Sequence, residues 1–344
     1  MEAALITGKE TVEIREFPEP EPGDGQAVVE ILLCGICGTD LEAWVTGDPY
    51  SPSICGHEWV GSVSAKASDV SHVKEGDRVG IGIAPACGGC PHCRAGDPAH
   101  CDTAFMSVLG MGPYATPHGG FAPRIGLNAA RLYTVRDGIS NKAAAMLEPA
   151  TVAVHGVRRT GLEMGAGCVV LGAGPIGLLT LQAAYANGAG AVAVVEPHAM
   201  RREQAAMLGA SAVIDPFAED VAERVQELFG AVGPDVVFEC AGIPTTIQQA
   251  AELVRRGGTV SLIGLSSHDA VIKPGTWLAN EVQMVSSLAY SAEEFDVTMA
   301  LMQDGRMRVE GLHTSTSNLV DLPNAFQRLR DTPDEIKILV DPHA

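Results

Sequence analysis

Apolar residues in the second half of the chain come in short blocks separated by helix-length stretches. Between Glu163 and Glu196 the blocks nearly fuse: MGAGCVVLGAGPIGLLTLQAAYANGAGAVAVV runs for 32 residues without a charge. That length would suit a membrane span, but the glycines, Pro175 and Asn187 divide it into pieces too short to cross a bilayer alone. The pattern predicts strand, turn, helix, turn and strand in a soluble sheet. The alternation continues with a helix in MRREQAAMLGA, a strand in AVID, a helix over about 218–229, a strand in DVVFECAG, a helix near 245–255 and a strand in GTVSLIGL. Such a βα rhythm predicts an α/β domain on a parallel, doubly wound sheet.

At 344 residues the chain is long enough for two domains, each with its own core. Hydrophobic residues at 46% and charged residues at 19%, with no repeat or low-complexity tract, predict folding throughout. Twenty-three basic against 42 acidic side chains give a formal charge of −19, which argues against nucleic acid or a membrane surface as partner. The start, MEAALITGKETVEIREF, lacks the basic opening and apolar centre of a secretory signal, so the expected compartment is the cytoplasm. In a reducing compartment none of the nine cysteines needs to pair. Cys55, Cys168 and Cys240, single in apolar runs, are expected to be small buried hydrophobes.

Cys87, Cys90, Cys93 and Cys101 are different, because four thiols with C-x2-C-x2-C-x7-C spacing crowd into CGGCPHCRAGDPAHC. Four thiolates complete a tetrahedral zinc shell and leave no position for substrate, so this lobe predicts a structural zinc, with His92 and His100 as bystanders. An iron–sulfur cluster would also take four thiolates but needs redox partners that nothing here suggests. A nucleic-acid finger would need basic flanks, whereas Arg94 stands beside Asp97 and Asp102. Upstream, Cys37 and His57 form a mixed sulfur and nitrogen pair of the kind a catalytic zinc uses, with Cys34 a competitor for the thiolate role. Glu148, in AMLEPATVAVHGV, is either a third ligand or an acidic residue favoured at a helix start.

The strand VVL runs into Gly172-x-Gly174-x-x-Gly177, and Pro175 and Ile176 open the helix that follows. Glycines there let the backbone approach a pyrophosphate at the helix N-terminus. The next strand ends in Glu196, placed to hydrogen-bond adenosine ribose hydroxyls and to repel a 2′-phosphate. NAD is therefore expected rather than NADP, although Arg201 and Arg202 follow closely and could supply a cation.

In combination these features resemble the zinc-dependent medium-chain dehydrogenase/reductase family, the alcohol, sorbitol, threonine and butanediol dehydrogenases. GICGTD, GHE, the four-cysteine lobe, HGGFA at 118–122, LEPA, GAGPIG and IKILV occur in the family's order, so the resemblance covers nearly the whole chain. It implies a GroES-like, β-rich catalytic domain over 1–151 and 290–344, carrying the structural zinc lobe at about 86–102, and a Rossmann NAD-binding domain over 152–289. It implies two zinc ions per chain, with Cys37, His57 and Glu148 on the catalytic one, Glu148 directly or through water. By the same resemblance Glu58 stands behind the ligands and can approach the metal during ligand exchange. Asp40 would accept the other ring proton of His57. Lys337 would contact the cofactor pyrophosphate, or else be a solvated surface lysine. Relatives of this length also imply a homodimer or homotetramer.

The implied activity is hydride transfer between a secondary alcohol (a polyol, diol or amino alcohol) and NAD, with Thr39 as first proton carrier. Many alcohol dehydrogenases carry histidine five residues after the ligand cysteine, but here that position is Glu42. Glu42 takes the proton itself, binds a substrate hydroxyl, or is solvated. Glu42 and Thr46 suit a hydroxylated substrate, while Trp44, Tyr50 and Trp59 line an apolar pocket or belong to the core. The alternatives are an NADP-linked carbonyl reductase and a catalytically silent nucleotide-binding member.

Overall fold

The computed structural model describes every residue except Pro333. The chain divides into two compact units: Met1–Glu148, Ser291–Met299 and His313–Ala344 form one, and Pro149–Tyr290 with Ala300–Leu312 the other. Residues 300–312 thus pack in the second unit, although they lie inside the 290–344 stretch assigned from sequence to the first.

In the first unit the strands are β1 (Glu2–Gly8), β2 (Thr11–Glu16), β3 (Gln26–Gly35), β4 (Glu58–Lys66), β5 (Arg78–Ile81), β6 (Arg124–Asn128) and β7 (Leu132–Thr134). The second unit holds β8 (Gly167–Leu171), β9 (Ala191–Val195), β10 (Ala212–Ile214), β11 (Val236–Glu239), β12 (Thr259–Leu262) and β13 (Gln283–Ser286). The chain then returns to the first unit with β14 (His313–Ser317) and β15 (Lys337–Val340).

β1 and β2 pair as a hairpin, while the larger sheet of this unit runs β14-β15-β3-β4-β5-β7, with β6 also pairing β3. Its pairings are antiparallel apart from β14–β15. Register shifts along β3 at Val28/Val29 and Ile31/Leu33 mark bulges, which bend a strand and increase its twist. Val29, Ile31, Trp59, Phe121, Phe326 and Ile338 fill the core beneath. Gly35, at the end of β3, pairs with Glu58 at the start of β4 and with Leu339 of β15. That register brings the chain before β4, the chain after β3 and the start of β15 to one end of the sheet.

The second unit's sheet is wholly parallel, in the order β10-β9-β8-β11-β12-β13. Numbered within the unit this is the 3-2-1-4-5-6 order of a doubly wound dinucleotide fold, whose direction reverses between β8 and β11. The uncharged run of 32 residues resolves into β8, the helix Pro175–Ala186 and β9. That helix lacks a polar stripe because residues 177–184 are all buried. Among the described residues no helix is long and apolar enough to cross a membrane.

Candidate metal centres and cofactor turn

Cys37 lies just beyond β3, where it caps the helix Gly38–Thr46. His57 lies just before β4, and Glu58 is its first residue. The ligand-type atoms of Cys37, His57 and Glu58 all lie within 4.8 Å of one another. Glu148, expected as the third ligand, is not in this close set. It opens the helix Leu147–Arg158, where burial, with Glu58 and Asp40 nearby, pushes its carboxyl up to about 7. Burial pulls the His57 imidazole down, yet the charges of Cys37, Asp40 and Glu148 carry it, on balance, well above the usual imidazole range. The pocket gathers a thiol, an imidazole and carboxyl groups, and soft and borderline donors of this kind fit a divalent zinc ion.

Asp40 departs from its expected role. Its buried carboxylate accepts the Cys37 N–H at 2.9 Å, the Gly56 N–H at 3.1 Å and the Tyr50 hydroxyl at 2.8 Å. The His57 Nδ1 lies 4.0 Å from it and instead meets the Ile54 carbonyl at 2.9 Å. A carbonyl only accepts, so Nδ1 carries a proton and Nε2 is the ring nitrogen that can serve a metal. Asp40 thus fixes the peptides that present Cys37 and His57, rather than the imidazole.

Lys337 is also corrected. It is 2% exposed, neither on the surface nor free for a pyrophosphate, and its Nζ pairs with the Glu58 carboxylate and donates to the Ile36 carbonyl at 2.8 Å. Burial opposes its charge, but Glu58 holds the ammonium above its ordinary value. A lysine inside the apolar strand IKILV was itself a signal, since a charge there needs a buried partner.

Thr39 lies on the first turn of the helix after Cys37, and its hydroxyl is 3.4 Å from that of Tyr50. Because Tyr50 donates its one proton to Asp40, the Thr39 hydroxyl donates to Tyr50 and keeps its own oxygen free to accept. No sequence signal marked Tyr50 as part of this network, because only tertiary packing brings it there. Glu42 is half-buried on the same helix, and Trp44 and Trp59 belong to the core rather than to a pocket wall.

The Sγ atoms of Cys87, Cys90, Cys93 and Cys101 also lie within 4.8 Å of one another. The N–H groups of Gly89 and Cys90 point at Cys87 Sγ at 3.4 and 3.3 Å, and that of Cys87 at Cys101 Sγ at 3.2 Å. With the Thr103 hydroxyl, the donors on Cys87 bring its thiol down to about 6. Four clustered sulfurs, with N–H donors on those of Cys87, Cys90 and Cys101, fit a tetrahedral zinc shell. His92 and His100 face Asp102 and Asp97 instead.

In the second unit β8 leads into Gly172, whose φ is +92°, and then into the helix that begins at Pro175. A Cβ on Gly177 would stand 1.8 Å from the Gly172 carbonyl oxygen, so only glycine closes this turn. Gly174 caps the helix, Ile176 follows Pro175 in its first turn, and a Cβ on Gly174 would meet nothing within 4 Å. This cradle fits a pyrophosphate. Glu196, 3% exposed, accepts the Ala173 N–H at 2.7 Å and the His198 N–H at 3.0 Å, and so braces the turn itself. Arg202 is held by Asp215 at 2.9 Å and by the Glu196 and Pro197 carbonyls, while Arg201 is half-buried beside it.

A thiolate and imidazole centre in one unit and a dinucleotide turn in the other define the class of metal-assisted, nucleotide-dependent dehydrogenases. Residues 23–137 match the alcohol dehydrogenase GroES-like domain and residues 175–304 the zinc-binding dehydrogenase domain. Sorbitol dehydrogenase of Bacillus subtilis is 30% identical, with 100% of this chain and 98% of that protein covered. The 2-dehydro-3-deoxy-L-galactonate 5-dehydrogenase of Pseudoalteromonas atlantica is 32% identical, with coverage of 100% and 99%. The crystal structure of 2R,3R-butanediol dehydrogenase from Bacillus subtilis superposes with a TM-score of 0.85 at 28% identity, covering 99% of each chain. The chain belongs to the zinc-dependent medium-chain dehydrogenase/reductase family and is an oxidoreductase of the alcohol and polyol dehydrogenase type.

Proposed function

We propose that the chain oxidises a secondary alcohol within a polyol or vicinal diol, with NAD as hydride acceptor and two zinc ions, one catalytic and one structural. The observation that carries this reading is the close set of Cys37, His57 and Glu58, whose ligand-type atoms all lie within 4.8 Å of one another. Bound zinc supplies a Lewis acid for the alcohol oxygen, and NAD accepts the hydride. Cys37 Sγ and the Nε2 of His57 would hold the metal, with Glu58 beside them. The Thr39 oxygen takes the alcohol proton as its own hydroxyl proton passes to Tyr50 and that of Tyr50 to Asp40, so that alcohol and NAD⁺ give ketone, NADH and one proton.

The glycine turn binds the pyrophosphate, and the second unit serves as the NAD domain. NAD is favoured over NADP because Arg202 is committed to Asp215 and to backbone carbonyls, and the Glu196 carboxylate would repel a 2′-phosphate. Sorbitol, galactonate and butanediol dehydrogenases among the relatives support a substrate with neighbouring hydroxyls.

Metal analysis of the full chain, joined to a screen of polyols, diols and amino alcohols with NAD and NADP side by side, tests this. Two zinc ions and NADH formation with a polyol or diol are expected. Loss of the reading would follow from a protein that holds no zinc outside the cysteine lobe, or that reduces neither cofactor with any alcohol.

A further inference from the structure

Glu239 is the last residue of β11, beside β8 at the point where the strand order reverses. It is 0% exposed. Its Oε1 accepts hydrogen bonds from the Ala241 N–H at 3.0 Å, the Gly242 N–H at 2.9 Å and the Thr246 hydroxyl at 2.8 Å, whose one proton it shares with the Ile243 carbonyl at 2.7 Å. Its Oε2 is buried with no hydrogen-bond partner among the described residues. A buried carboxyl with one oxygen unpartnered is costly to keep, so its position calls for a reason.

The backbone around it supplies one. The Glu239 carbonyl accepts the Ile263 and Gly264 N–H groups at 3.0 and 2.9 Å, just past β12, and the next N–H, of Cys240, goes to Leu171 at the end of β8 at 2.9 Å. One short segment thus links the ends of three parallel strands at the edge where such sheets bind ligands. Ala241, held by the carboxyl, lies against the first glycine of the turn: a Cβ on Gly172 would meet Ala241 Cα and N at 3.0 Å. Burial, opposed by the three donors, pushes the Glu239 carboxyl upward.

We propose that Glu239 is a positioning residue for the dinucleotide, its Oε1 gathering the 240–246 turn against Gly172 so that the pyrophosphate-binding turn keeps its shape. The inference rests on the reading that this turn binds NAD.

Calorimetric titration of NAD into the full-length zinc-loaded chain tests it, with melting temperatures recorded alongside. Glu239→Ala is expected to raise the Kd for NAD by about tenfold or more, and to raise the KM for NAD while leaving that for the alcohol in place. Glu239→Gln, whose amide oxygen can accept the same three bonds, is expected to return Kd to within about threefold of the starting protein. Thr246→Val removes a single donor and is expected to raise Kd by about two- to fivefold. A merely structural role would lower the melting temperature and leave NAD affinity well below that temperature unchanged, which overturns the proposal. If Glu239→Ala does not fold, Thr246→Val decides: an unaltered Kd overturns the proposal and a raised one supports it. Absence of NAD and NADP binding by the unsubstituted chain would remove the nucleotide reading and this inference together. Binding by that chain, matched by both variants, removes the inference alone.

Discussion

The two thiolate sites of the first unit are built on opposite plans. The lobe at 87–101 draws its four sulfurs from 15 consecutive residues, and its own peptide N–H groups serve those sulfurs. The centre at Cys37 depends on residues from 37 to 337, and its candidate ligands are presented by a buried aspartate and flanked by a buried ion pair. A local site of the first kind closes the metal's shell and stiffens a loop. An assembled site of the second kind would leave a metal an incomplete protein shell whose charge is set by its surroundings, as a catalytic metal needs.

If that contrast is right, removing one ligand from each site produces unlike losses. Cys37→Ala is expected to lower kcat/KM by more than about a thousandfold while one zinc per chain remains and the melting temperature moves little. Cys93→Ala is expected to lose the other zinc and lower the melting temperature by at least about 10 °C, with kcat/KM per folded molecule within about tenfold. Metal content, steady-state rates and calorimetry on both variants read these outcomes. Equal loss of activity in the two would break the division into catalytic and structural sites.

Lys337→Met sharpens the comparison, because it removes the cation of the buried ion pair behind the Cys37 centre. Leaving Glu58 buried without its ammonium is expected to cost about 3 kcal/mol in urea unfolding of the metal-free chain. The loss should shrink when zinc is added, since the metal then stands in for the missing cation. An equal loss with and without zinc would show that Glu58 does not reach the metal.

What could be read from the sequence follows the same division. The lobe was legible because its ligands are neighbours in the chain, and their spacing carries the geometry. The βα rhythm of the second unit was legible because each block of apolar residues maps to one strand or helix. The assembled centre was legible only as a set of residue types. That Asp40 braces the Cys37 and Gly56 peptides, that Ile54 fixes the His57 tautomer and that Lys337 turns inward to Glu58 all depend on the register of β3, β4 and β15. Glu196 shows a related limit: its place at the strand end was evident, but not that its oxygens serve the turn's own N–H groups.

The smallest expected difference tests whether enclosure, rather than hydrogen bonding as such, separates the two sites. Tyr50→Phe removes one hydroxyl from the network at Asp40 and Thr39 and keeps the ring. Asp40 retains its two peptide donors, so the cost to stability is expected to be about 1 kcal/mol, with zinc content unchanged. The Thr39 hydroxyl loses the partner that orients it, and kcat is expected to fall by about three- to tenfold while KM for NAD holds. Beside the lobe, His100 meets Asp97 at the same 2.8 Å, but both side chains are about half exposed. His100→Ala is therefore expected to shift stability by less than about 0.5 kcal/mol and kcat not at all, because water replaces the lost contact. Matching effects of the two substitutions, in urea midpoints and in kcat, would mean that the inner network holds Thr39 no more firmly than solvent would.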